Sequence, residues 1–589
     1  MIRTPPATVA VLLALLAILA AFLPLVAGPY AVKLATRILA TAIFVLSLDL
    51  LVGVTGLVSF GHAAFFGIGA YAVWFVSPAD DGANPFLALG AGIGLAALAA
   101  LIIGLFAVRT RGFYFIMVTL AASQMLFALF HDTRIAGGSD GASITVKPYL
   151  AIGSTTLIDF QSRAALFWCA LGLLVALYLA AVWLVKTPFG RGLQGIRANE
   201  SRMGALGFNV YWYKLAAFVI AGAVAGLAGA LFASIDGFVP PEVLAWKQSG
   251  LAIMMLVLGG VGTLYGSVFG AIAFALIEEA LKSADLVSAV IAGHWPIPMG
   301  LILIAATLGA PKGLAGLLPK RRAPPPALPA TPPARKPAVT RHLSVNGIAK
   351  RFGGLVAVDQ VTLAFEPNRV HAVIGPNGAG KTTFTNLLSG ALPASTGQVW
   401  LDDEDFTPLK AHARARRGIG RSFQRTNVFL AFSVYENCLL AAQARRPQLR
   451  LTTRAGEEDE AVAFALGATG LGTAADRIAG ELSHGEQRQL EIAMLIASGA
   501  KILLLDEPLA GMGAEETKRV MALLRDLTLD HTIIVIEHDL DAVFSTADTI
   551  SVLVYGRLLA HGAPDQIRRD PAVREAYLGN FGMAGRAAQ

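Results

Sequence analysis

The chain has 589 residues, of which 55% are hydrophobic and 15% charged, with a formal net charge of +7. This length is too great for a single core, and most of the charge lies in the second half, so the composition predicts a membrane half followed by a soluble half. The modest positive charge without interleaved aromatic residues disfavours nucleic-acid binding, and two cysteines far apart in the chain give no disulfide framework.

The first half of the sequence carries apolar segments long enough to cross about 30 Å of hydrocarbon. We predict nine, at residues 7–27, 34–58, 60–78, 85–107, 113–131, 164–185, 214–235, 251–277 and 286–309. The first segment could also be a signal peptide, but no clean cleavage site stands out and many segments follow, which favours a membrane helix. The prediction is a polytopic all-α membrane domain over residues 1–318.

Positive charge in short loops predicts which ends of these segments face the cytoplasm. Arg109 and Arg111 mark one basic loop, and residues 186–202 contain another. With the N-terminus inside, the first six segments place both loops in the cytoplasm, but the last three would leave the soluble half outside the cell. One segment is therefore miscounted. We expect the Gly-Gly-Val-Gly sequence at 259–262 to divide segment 251–277 into two crossings or a re-entrant pair.

Glycines and two polar residues in the membrane half invite a functional interpretation. Several glycines accompany Asp49 and His62 in the second and third segments, and a Gly-Gly-Ser-Asp-Gly sequence at 137–141 follows the fifth. Glycines in membrane helices most often form close-packing surfaces, and the alternative is a solute pathway with unwound backbone. A carboxylate at mid-bilayer costs about 2.5–3.5 kcal/mol on insertion scales, so Asp49 is expected to face either solute or a structural partner.

A proline-rich linker follows, which we place at residues 319–341. Repeated prolines favour polyproline II, so this segment is predicted to be a semi-rigid spacer without a core. At about 3.1 Å per residue it could extend roughly 70 Å. The soluble half can therefore reach its own membrane half or that of a neighbour.

The soluble half, predicted over residues 342–582 with a flexible tail at 583–589, is organised around a glycine-rich turn. The turn follows an apolar strand-like run, has the pattern G-x-x-x-x-G-K-T, and leads into a helix-like segment, as in α/β P-loop NTPases. Its backbone N–H groups can point at one anion, and the helix adds the positive end of its dipole. We assign nucleotide binding to Gly375, Pro376, Asn377, Gly378, Ala379, Gly380, Lys381, Thr382 and Thr383. Lys381 would reach the β- and γ-phosphates, and Thr382 would offer its hydroxyl to Mg²⁺.

The sequence KILLLDEP at 501–508 predicts a buried strand that ends in two adjacent carboxylates. Asp506 can hold the Mg²⁺ shell while Glu507 orients or deprotonates the attacking water. A helix N-cap is the alternative explanation for such a pair, and the phosphate-binding turn upstream disfavours it. Near the start of the soluble half, the aromatic ring of Phe352 could stack on adenine or face the core.

The sequence Leu-Ser-His-Gly-Glu-Gln at 482–487 resembles the signature motif of ABC-transporter ATPases. Gln424 resembles the Q-loop glutamine and His538 the switch histidine of that family, and all the motifs occur in the family's order. The resemblance implies that Gln424 and His538 act beside Glu507, with Gln424 also near Mg²⁺. It implies further that ATP bound on a partner's phosphate-binding turn is contacted by Ser483, Gly485 and Glu486. Hydrolysis then needs two ATPase domains.

Two residues depart from the family's pattern. His484 replaces the usual second-position glycine of the signature, and Gly513 stands where many members have an aspartate. Both departures bear on communication between the two ATP sites.

The membrane half resembles permeases of the branched-chain amino-acid importer family at residues 49–71, 190–209, 258–266 and 310–316. The ATPase half resembles the same family, so the chain looks like a fusion of two subunits that are usually separate. The resemblance implies ATP and Mg²⁺ as cofactors and a multi-pass protein of the cytoplasmic (inner) membrane with its ATPase domain in the cytoplasm. It also implies, besides membrane lipid, a periplasmic or extracellular solute-binding protein and a second permease and ATPase, either paralogous or a second copy of this chain.

The expected solutes are leucine, isoleucine and valine, with urea, short amides or aromatic acids as the alternative within the family. An ABC exporter is the rival class, but exporters have six long helices with large cytoplasmic extensions, whereas these segments are short and broken by glycines. The basic loop at 186–214 has the size of a small coupling helix. A membrane-tethered ATPase without a transport role would need only one segment.

Overall fold

The computed structural model of the protein describes residues 7–78, 81–152, 155–283, 293–318, 339–445, 449–452 and 455–576. Most of the predicted linker at 319–341 and all of the tail at 583–589 lie outside these ranges, as does the start of the predicted segment 286–309. The chain divides into two units. One contains the membrane half except for Ala198–Val210, and the other contains Ala198–Val210 together with the described residues from 339 onward.

Helices dominate the first unit. They are Ala7–Ala21, Leu23–Val26, Pro29–Asp49, the π-helical Leu50–Thr55, His62–Val76, Pro85–Ala107, Phe113–Asp132, Arg163–Lys186, Pro188–Ala198, Val210–Asp236, Trp246–Gly259, Tyr265–Lys282 and Pro296–Gly309, with short 3₁₀ turns at Gly138–Asp140, Pro241–Leu244 and Leu314–Leu317. Several begin with proline, which has no N–H to leave unpaired in a first turn. Asn84 shows the arrangement, because its side chain accepts a hydrogen bond from the Phe86 amide while Pro85 opens the helix.

Within the described residues, seven helices are long and apolar enough to cross a membrane. They are Val9–Val26, Pro29–Thr55, Pro85–Ala107, Phe113–Asp132, Arg163–Lys186, Val210–Asp236 and Pro296–Leu317. His62–Val76 is a shorter apolar helix of 15 residues within the predicted segment 60–78. Each predicted apolar segment therefore contains a helix among its described residues, with non-helical stretches such as 56–58 and 260–264.

Four short strands interrupt the all-helical prediction. Ala142–Ser143 pairs antiparallel with Phe238–Val239, and Tyr149–Ile152 pairs antiparallel with Thr155–Asp159. They lie in the long connection after Phe113–Asp132 and just after Val210–Asp236. Strands this short have too few alternating residues to give a sequence pattern.

The predicted segment 251–277 is broken, as the sequence indicated. The helices Trp246–Gly259 and Tyr265–Lys282 lie on either side of the turn that contains Gly262. The carboxylate of Asp49 fills the turn, because its Oδ1 accepts from the Gly262 amide at 2.7 Å and its Oδ2 from the Leu264 amide at 2.9 Å. Of the two alternatives for Asp49, the described contacts therefore show a structural partner.

The glycines of the membrane half pack helices closely. A methyl group on Gly69 would lie 2.0 Å from the Gly226 carbonyl oxygen, and one on Gly229 would lie 1.8 Å from the Phe66 carbonyl oxygen. No side chain fits at these points, so the two helices touch backbone to backbone. Of the two alternatives for the membrane glycines, close packing and a solute pathway, Gly69 therefore shows close packing.

Two β-sheets form the framework of the second unit. The six-stranded sheet has the order Ile419–Arg421, Ile502–Asp506, Thr532–Ile536, Val370–Ile374, Thr549–Val554 and Arg557–Gly562, and only its last pair is antiparallel. The four-stranded antiparallel sheet has the order Leu355–Phe365, Leu343–Phe352, Thr396–Leu401 and Glu404–Asp405. Three adjacent parallel strands, 370–374, 502–506 and 532–536, are buried at every position, as their unbroken apolar runs predict.

Helices pack around these sheets. They are Glu200–Leu206, Lys381–Leu388, Ala411–Arg416, Val434–Ala444, Ala455–Ala468, His484–Ala497, Ala514–Leu527, Leu540–Thr546 and Pro564–Arg569, with 3₁₀ turns at Gly472–Ala474 and Ala479–Glu481. In the parallel strands Asp506 is paired with Ile536, and Ile536 with Val373. Three strands therefore end level with one another, and the motifs that follow them meet at one edge of the sheet.

Candidate functional site

The glycine-rich turn connects strand Val370–Ile374 to helix Lys381–Leu388, as predicted. Its two outer glycines are tightly enclosed. A Cβ atom would lie 2.1 Å from the Leu553 carbonyl oxygen at Gly375 and 2.3 Å from the Ala357 carbonyl oxygen at Gly380. Gly380 also has a φ of +95°, which side chains rarely adopt. The turn is thus fixed from both sides, with its backbone at the start of a helix, a geometry that favours an anion.

The ammonium group of Lys381 lies over this turn. Its Nζ atom donates to the carbonyl oxygens of Gly375 at 2.6 Å and Pro376 at 3.0 Å. Burial lowers the Lys381 pKa, and the carboxylates of Glu507 and Asp506 partly oppose that shift. Thr382, the next residue, is exposed. A cation and a hydroxyl therefore flank the position that the backbone amides favour for phosphate.

The carboxylate of Asp506 is buried without a hydrogen-bond donor. It is 1% exposed, and neither of its oxygens has a hydrogen-bond partner among the described residues. Arg421 provides the nearby charge, with Nη2 3.8 Å from Oδ2. Burial raises the Asp506 pKa, and Arg421 offsets part of the shift. A buried carboxylate with free lone pairs beside a phosphate-binding turn suits a hard divalent cation, which prefers oxygen ligands.

Glu507, Gln424 and His538, which were predicted from three separate motifs, contact one another through the Glu507 carboxylate. Its Oε1 accepts a hydrogen bond from Gln424 Nε2 at 3.2 Å and also contacts His538 Nε2. The backbone of Glu507 has a φ of +48°, a strained conformation for a residue with a side chain, and its amide donates to the Ile536 carbonyl at 2.8 Å. Such strain is concentrated at functional sites, where the surrounding structure maintains it.

Comparison with known proteins accounts for both halves of the chain. Residues 30–308 match the family model described as "Branched-chain amino acid transport system / permease component", 358–510 match "ABC transporter", and 557–580 match "Branched-chain amino acid ATP-binding cassette transporter". The chain is 41% identical over 250 residues to the high-affinity branched-chain amino acid transport ATP-binding protein BraF of Pseudomonas aeruginosa, covering 40% of this chain and 97% of that protein. It is also 41% identical over 251 residues to the corresponding protein LivG of Escherichia coli, with the same coverage.

The chain belongs to the branched-chain amino acid ABC transporter family. It carries the family's permease and its ATP-binding cassette in one polypeptide. The cassette binds and hydrolyses ATP, and this ATP hydrolysis is coupled to transport.

The cassette is also similar to proteins of another system. It is 34% identical over 240 residues to the lipopolysaccharide export system ATP-binding protein LptB of Escherichia coli, covering 40% of this chain and 97% of that protein. Sequence identity of the cassette to individual relatives therefore does not separate the branched-chain system from an export system. The permease match does, and the model matched at 557–580 agrees with it.

Arg488 contacts the backbone of the candidate site, and sequence reasoning did not single it out. Its guanidinium donates to the carbonyl oxygens of Asp506 at 2.9 Å and Glu507 at 2.6 Å. It donates also to those of Phe423 at 2.7 Å and Gln424 at 3.3 Å. The buried Arg488 side chain thus binds the peptide groups on both sides of Gln424 and of Glu507, the two proposed catalytic residues. Its only sequence signal is its place on the helix that follows the signature.

Glu537 was also missed. Its carboxylate accepts hydrogen bonds from the Leu509 amide at 2.8 Å and the His538 amide at 3.3 Å, and so ties the segment after Glu507 to the switch histidine. Burial raises the Glu537 pKa, and the two amide hydrogen bonds oppose the shift. The position of Glu537 in the sequence, between an apolar strand and a histidine, indicates neither of these hydrogen bonds.

The signature residues form a capping box at the start of helix His484–Ala497. Ser483 Oγ accepts from the Glu486 amide at 3.2 Å, and Glu486 Oε2 accepts from the Ser483 amide at 2.8 Å. Arg477 pairs with Glu486 at 2.8 Å. The Ser483 amide and Arg477 lower the Glu486 pKa. Among the described residues, Ser483, Gly485 and Glu486 make no hydrogen bond to the group around Glu507.

Phe352 ends strand Leu343–Phe352 and is 45% exposed. Lys350 Nζ lies 5.3 Å from its ring centroid. The alternative that this ring faces the core is therefore wrong. The ring is exposed at the end of a strand of the four-stranded sheet and is accessible to a planar base.

The predicted coupling loop contains two helices, Pro188–Ala198 and Glu200–Leu206. Asn199 caps the second, because its side chain accepts from the Arg202 amide at 3.0 Å, and it also bonds to Asn427 near the Q-loop. Gly207 ends the helix beside Arg416, whose Cγ would lie 2.9 Å from an added Cβ. Within this loop, Ala198–Val210 forms one unit with the ATPase half.

Proposed function

We propose that the protein is the fused permease and ATPase component of a binding-protein-dependent importer that takes up leucine, isoleucine and valine across the cytoplasmic membrane. The observation that carries the proposal is the permease match over residues 30–308. It supports this system over an exporter, although the cassette alone resembles proteins of both kinds.

The residues of the site have distinct proposed roles in ATP hydrolysis. Lys381 and the amides of residues 375–383 bind the phosphates. Mg²⁺, held by Thr382, Gln424 and Asp506, would neutralise phosphate charge, and the free lone pairs of Asp506 fit that role. Glu507 orients or deprotonates the attacking water, with His538 and Gln424 fixing its carboxylate.

A second ATPase domain would complete each site. Ser483, Gly485 and Glu486 lie at the start of a 14-residue helix, whose backbone amides and dipole favour an anion. We place ATP of a partner's phosphate-binding turn against this helix end, with Phe352 against the adenine of the chain's own ATP. The partner is a paralogous permease and ATPase or a second copy of this chain.

The broken run at 259–262 supports a topology with both ends of the chain in the cytoplasm. Among the described residues, the seven long apolar helices and His62–Val76 make eight crossings if Trp246–Gly259 and Tyr265–Lys282 form a re-entrant pair, and ten if each of these two helices crosses. An even number returns the chain to its starting side, and with the N-terminus inside this places the ATPase half in the cytoplasm. This removes the contradiction that nine segments create.

Uptake into proteoliposomes tests the proposal. The protein, reconstituted with its partner subunits and its solute-binding protein, is supplied with labelled leucine outside and ATP inside, and unlabelled isoleucine, valine, urea, acetamide and phenylalanine serve as competitors. Inhibition by isoleucine and valine alone supports the proposed solutes. Uptake of labelled urea, acetamide or phenylalanine in parallel assays, without uptake of leucine, would assign another solute of the same family. ATP consumption without inward movement of any of these labelled solutes would contradict import.

A further inference from the structure

Three charged side chains form a buried cluster between the short helix Glu200–Leu206 and the catalytic end of the sheet. Arg202 and Glu491 are 0% exposed and Arg488 is 4% exposed. Arg202 Nη1 lies 3.3 Å from Glu491 Oε1, and Arg488 Nη1 lies 2.6 Å from Glu491 Oε2. We propose that Glu491 is a positioning residue that connects Arg202 to the backbone of Glu507 through Arg488. We refer to Arg202, Glu491 and Arg488 as the arginine–glutamate relay.

At its catalytic end, the relay holds the backbone rather than a side chain. Arg488 donates to the carbonyl oxygens of Asp506 and Glu507 through Nη2, while its Nη1 binds Glu491. Glu507 has a φ of +48°, so its conformation must be maintained by its surroundings. A guanidinium held in place by a carboxylate can maintain it, because the planar group fixes several donors at once.

At its other end, the relay reaches a segment of the permease sequence. Arg202 lies on helix Glu200–Leu206. In the sequence this helix stands between Pro188–Ala198 and Val210–Asp236, and both of these belong to the permease match. Its guanidinium also donates to the carbonyl oxygens of Arg421 at 3.2 Å and Glu491 at 3.4 Å. A displacement of this helix therefore displaces a charge that Glu491 directly contacts.

The two carboxylate oxygens of Glu491 accept hydrogen bonds from different donors. Oε1 accepts from Arg202 and from the Phe423 amide at 3.1 Å, next to the Q-loop glutamine, and Oε2 accepts from Arg488. Two guanidinium groups thus share one carboxylate. If its charge is removed, two buried cations repel each other, and breaking such a network is strongly destabilising locally. Loss of Arg202 alone leaves the pair of Glu491 and Arg488 intact.

This inference rests on the proposed catalytic role of Glu507. The first test is Glu491→Gln in the full complex, measured as ATP hydrolysis. We expect kcat to fall about 100-fold, as for small displacements of catalytic groups, with the KM for ATP within about threefold because the phosphate-binding turn is untouched. The matched control is Glu458→Gln, a buried carboxylate that pairs with Arg450 and accepts from Gln443 at 3.0 Å, away from the catalytic loop. Equal kcat values for the two variants would overturn the proposal.

The second test separates the two ends of the relay and does not depend on the folding of Glu491→Gln. Arg202→Met should keep hydrolysis without solute within about threefold while losing most of the stimulation by the loaded binding protein. Arg202→Lys should restore at least about half of that stimulation, since it keeps the positive charge beside Glu491. Unchanged stimulation in Arg202→Met, or equal loss in the Met and Lys variants, would overturn the relay.

Failure of the relay is distinguishable from failure of the proposed function. Wild-type uptake and the loss of hydrolysis in Glu507→Gln report on the function and its catalytic residue. If both hold while the Glu491 and Arg202 variants behave as their controls, only the relay is wrong.

Discussion

His538 and Glu507 meet side chain to side chain at the edge of the parallel sheet, with His538 Nε2 in contact with Glu507 Oε1. Gln424 Nε2 donates to the same oxygen at 3.2 Å. The Glu507 side chain is 15% exposed. Its Oε1 contacts two side chains, so its Oε2 is the oxygen that can face a water molecule. Such an arrangement suits a group that positions the nucleophile in phosphoryl transfer.

Glu507→Gln is expected to bind ATP and to lose at least about 100-fold in turnover, because glutamine keeps the shape but cannot accept a proton. Hydrolysis in vesicles and binding of a fluorescent ATP analogue measure the two properties. Glu515→Gln is the matched control, since Glu515 is exposed and pairs only with Lys518 at 3.1 Å among its described ion pairs. Normal hydrolysis by Glu507→Gln would remove Glu507 from its proposed role.

Lys381→Ala is expected to abolish solute uptake. The substitution removes the ammonium group that lies over the phosphate-binding turn and leaves the carbonyls of Gly375 and Pro376 without their donor. Lys518→Ala, at an exposed lysine, should transport normally. Unchanged uptake by Lys381→Ala would show that a partner ATPase energises transport alone.

Asp506→Asn is expected to raise the melting temperature of the nucleotide-free protein in EDTA by about 2–4 °C at pH 7. Burial raises the Asp506 pKa above its ordinary value of 3.8, which means that the charged form is less stable in the folded state than in the unfolded state. The wild type therefore loses stability as pH rises from 3.8 through the folded pKa, and asparagine does not.

The same variant should hydrolyse ATP poorly and gain little from added Mg²⁺, which dissociates stability from function. The stability difference should vanish below the unfolded pKa. If Asp506→Asn melts at a lower temperature than the wild type at pH 7, the carboxylate is stabilised in the folded protein rather than held ready for a cation.

Long uniform patterns were predictable from sequence, and contacts between distant residues were not. The apolar run at 85–107 is the helix Pro85–Ala107, because twenty-odd apolar residues between a proline and a basic loop admit one structure. The phosphate-binding turn was equally clear, because its glycines and lysine occur at fixed spacing. The break after Gly259 was predicted from a conflict in the charge distribution together with the glycines at 259–262.

The relay lay beyond sequence reasoning for a physical reason. Arg202 and Glu491 are 289 residues apart, and each belongs to a short motif that explains its presence without the other. An isolated charge pattern cannot show that a permease loop and a signature helix bury one ion pair. The role of Phe352 stayed open for a related reason, since exposure of a strand end depends on what covers it.

Asp49→Ala is expected to reduce transport by lowering the amount of folded protein. The carboxylate accepts from the partly buried amide of Gly262 and the buried amide of Leu264. Removing it leaves both donors unpaired, and an unpaired buried donor costs about 1–3 kcal/mol. Uptake per molecule of folded protein should keep the wild-type KM for solute. A raised KM with normal abundance would instead place Asp49 in the solute pathway. Ser47→Ala is the control, because its hydroxyl bonds to His62 at 2.8 Å and not to the broken turn.

Phe352→Ala is expected to raise the Kd for ATP about tenfold without changing the melting temperature. Stacking of an aromatic side chain on a base contributes about 1–3 kcal/mol, whereas an exposed side chain at the end of a strand contributes little to folding. Phe352→Tyr keeps a ring of the same size and should bind ATP as the wild type does. Leu355→Ala is the control, because Leu355 is paired with Phe352 across the hairpin and is 68% exposed. If Phe352→Ala and Leu355→Ala weaken ATP binding equally, the hairpin acts as a surface and not through a stacked ring. If Phe352→Ala binds ATP normally, the adenine lies elsewhere.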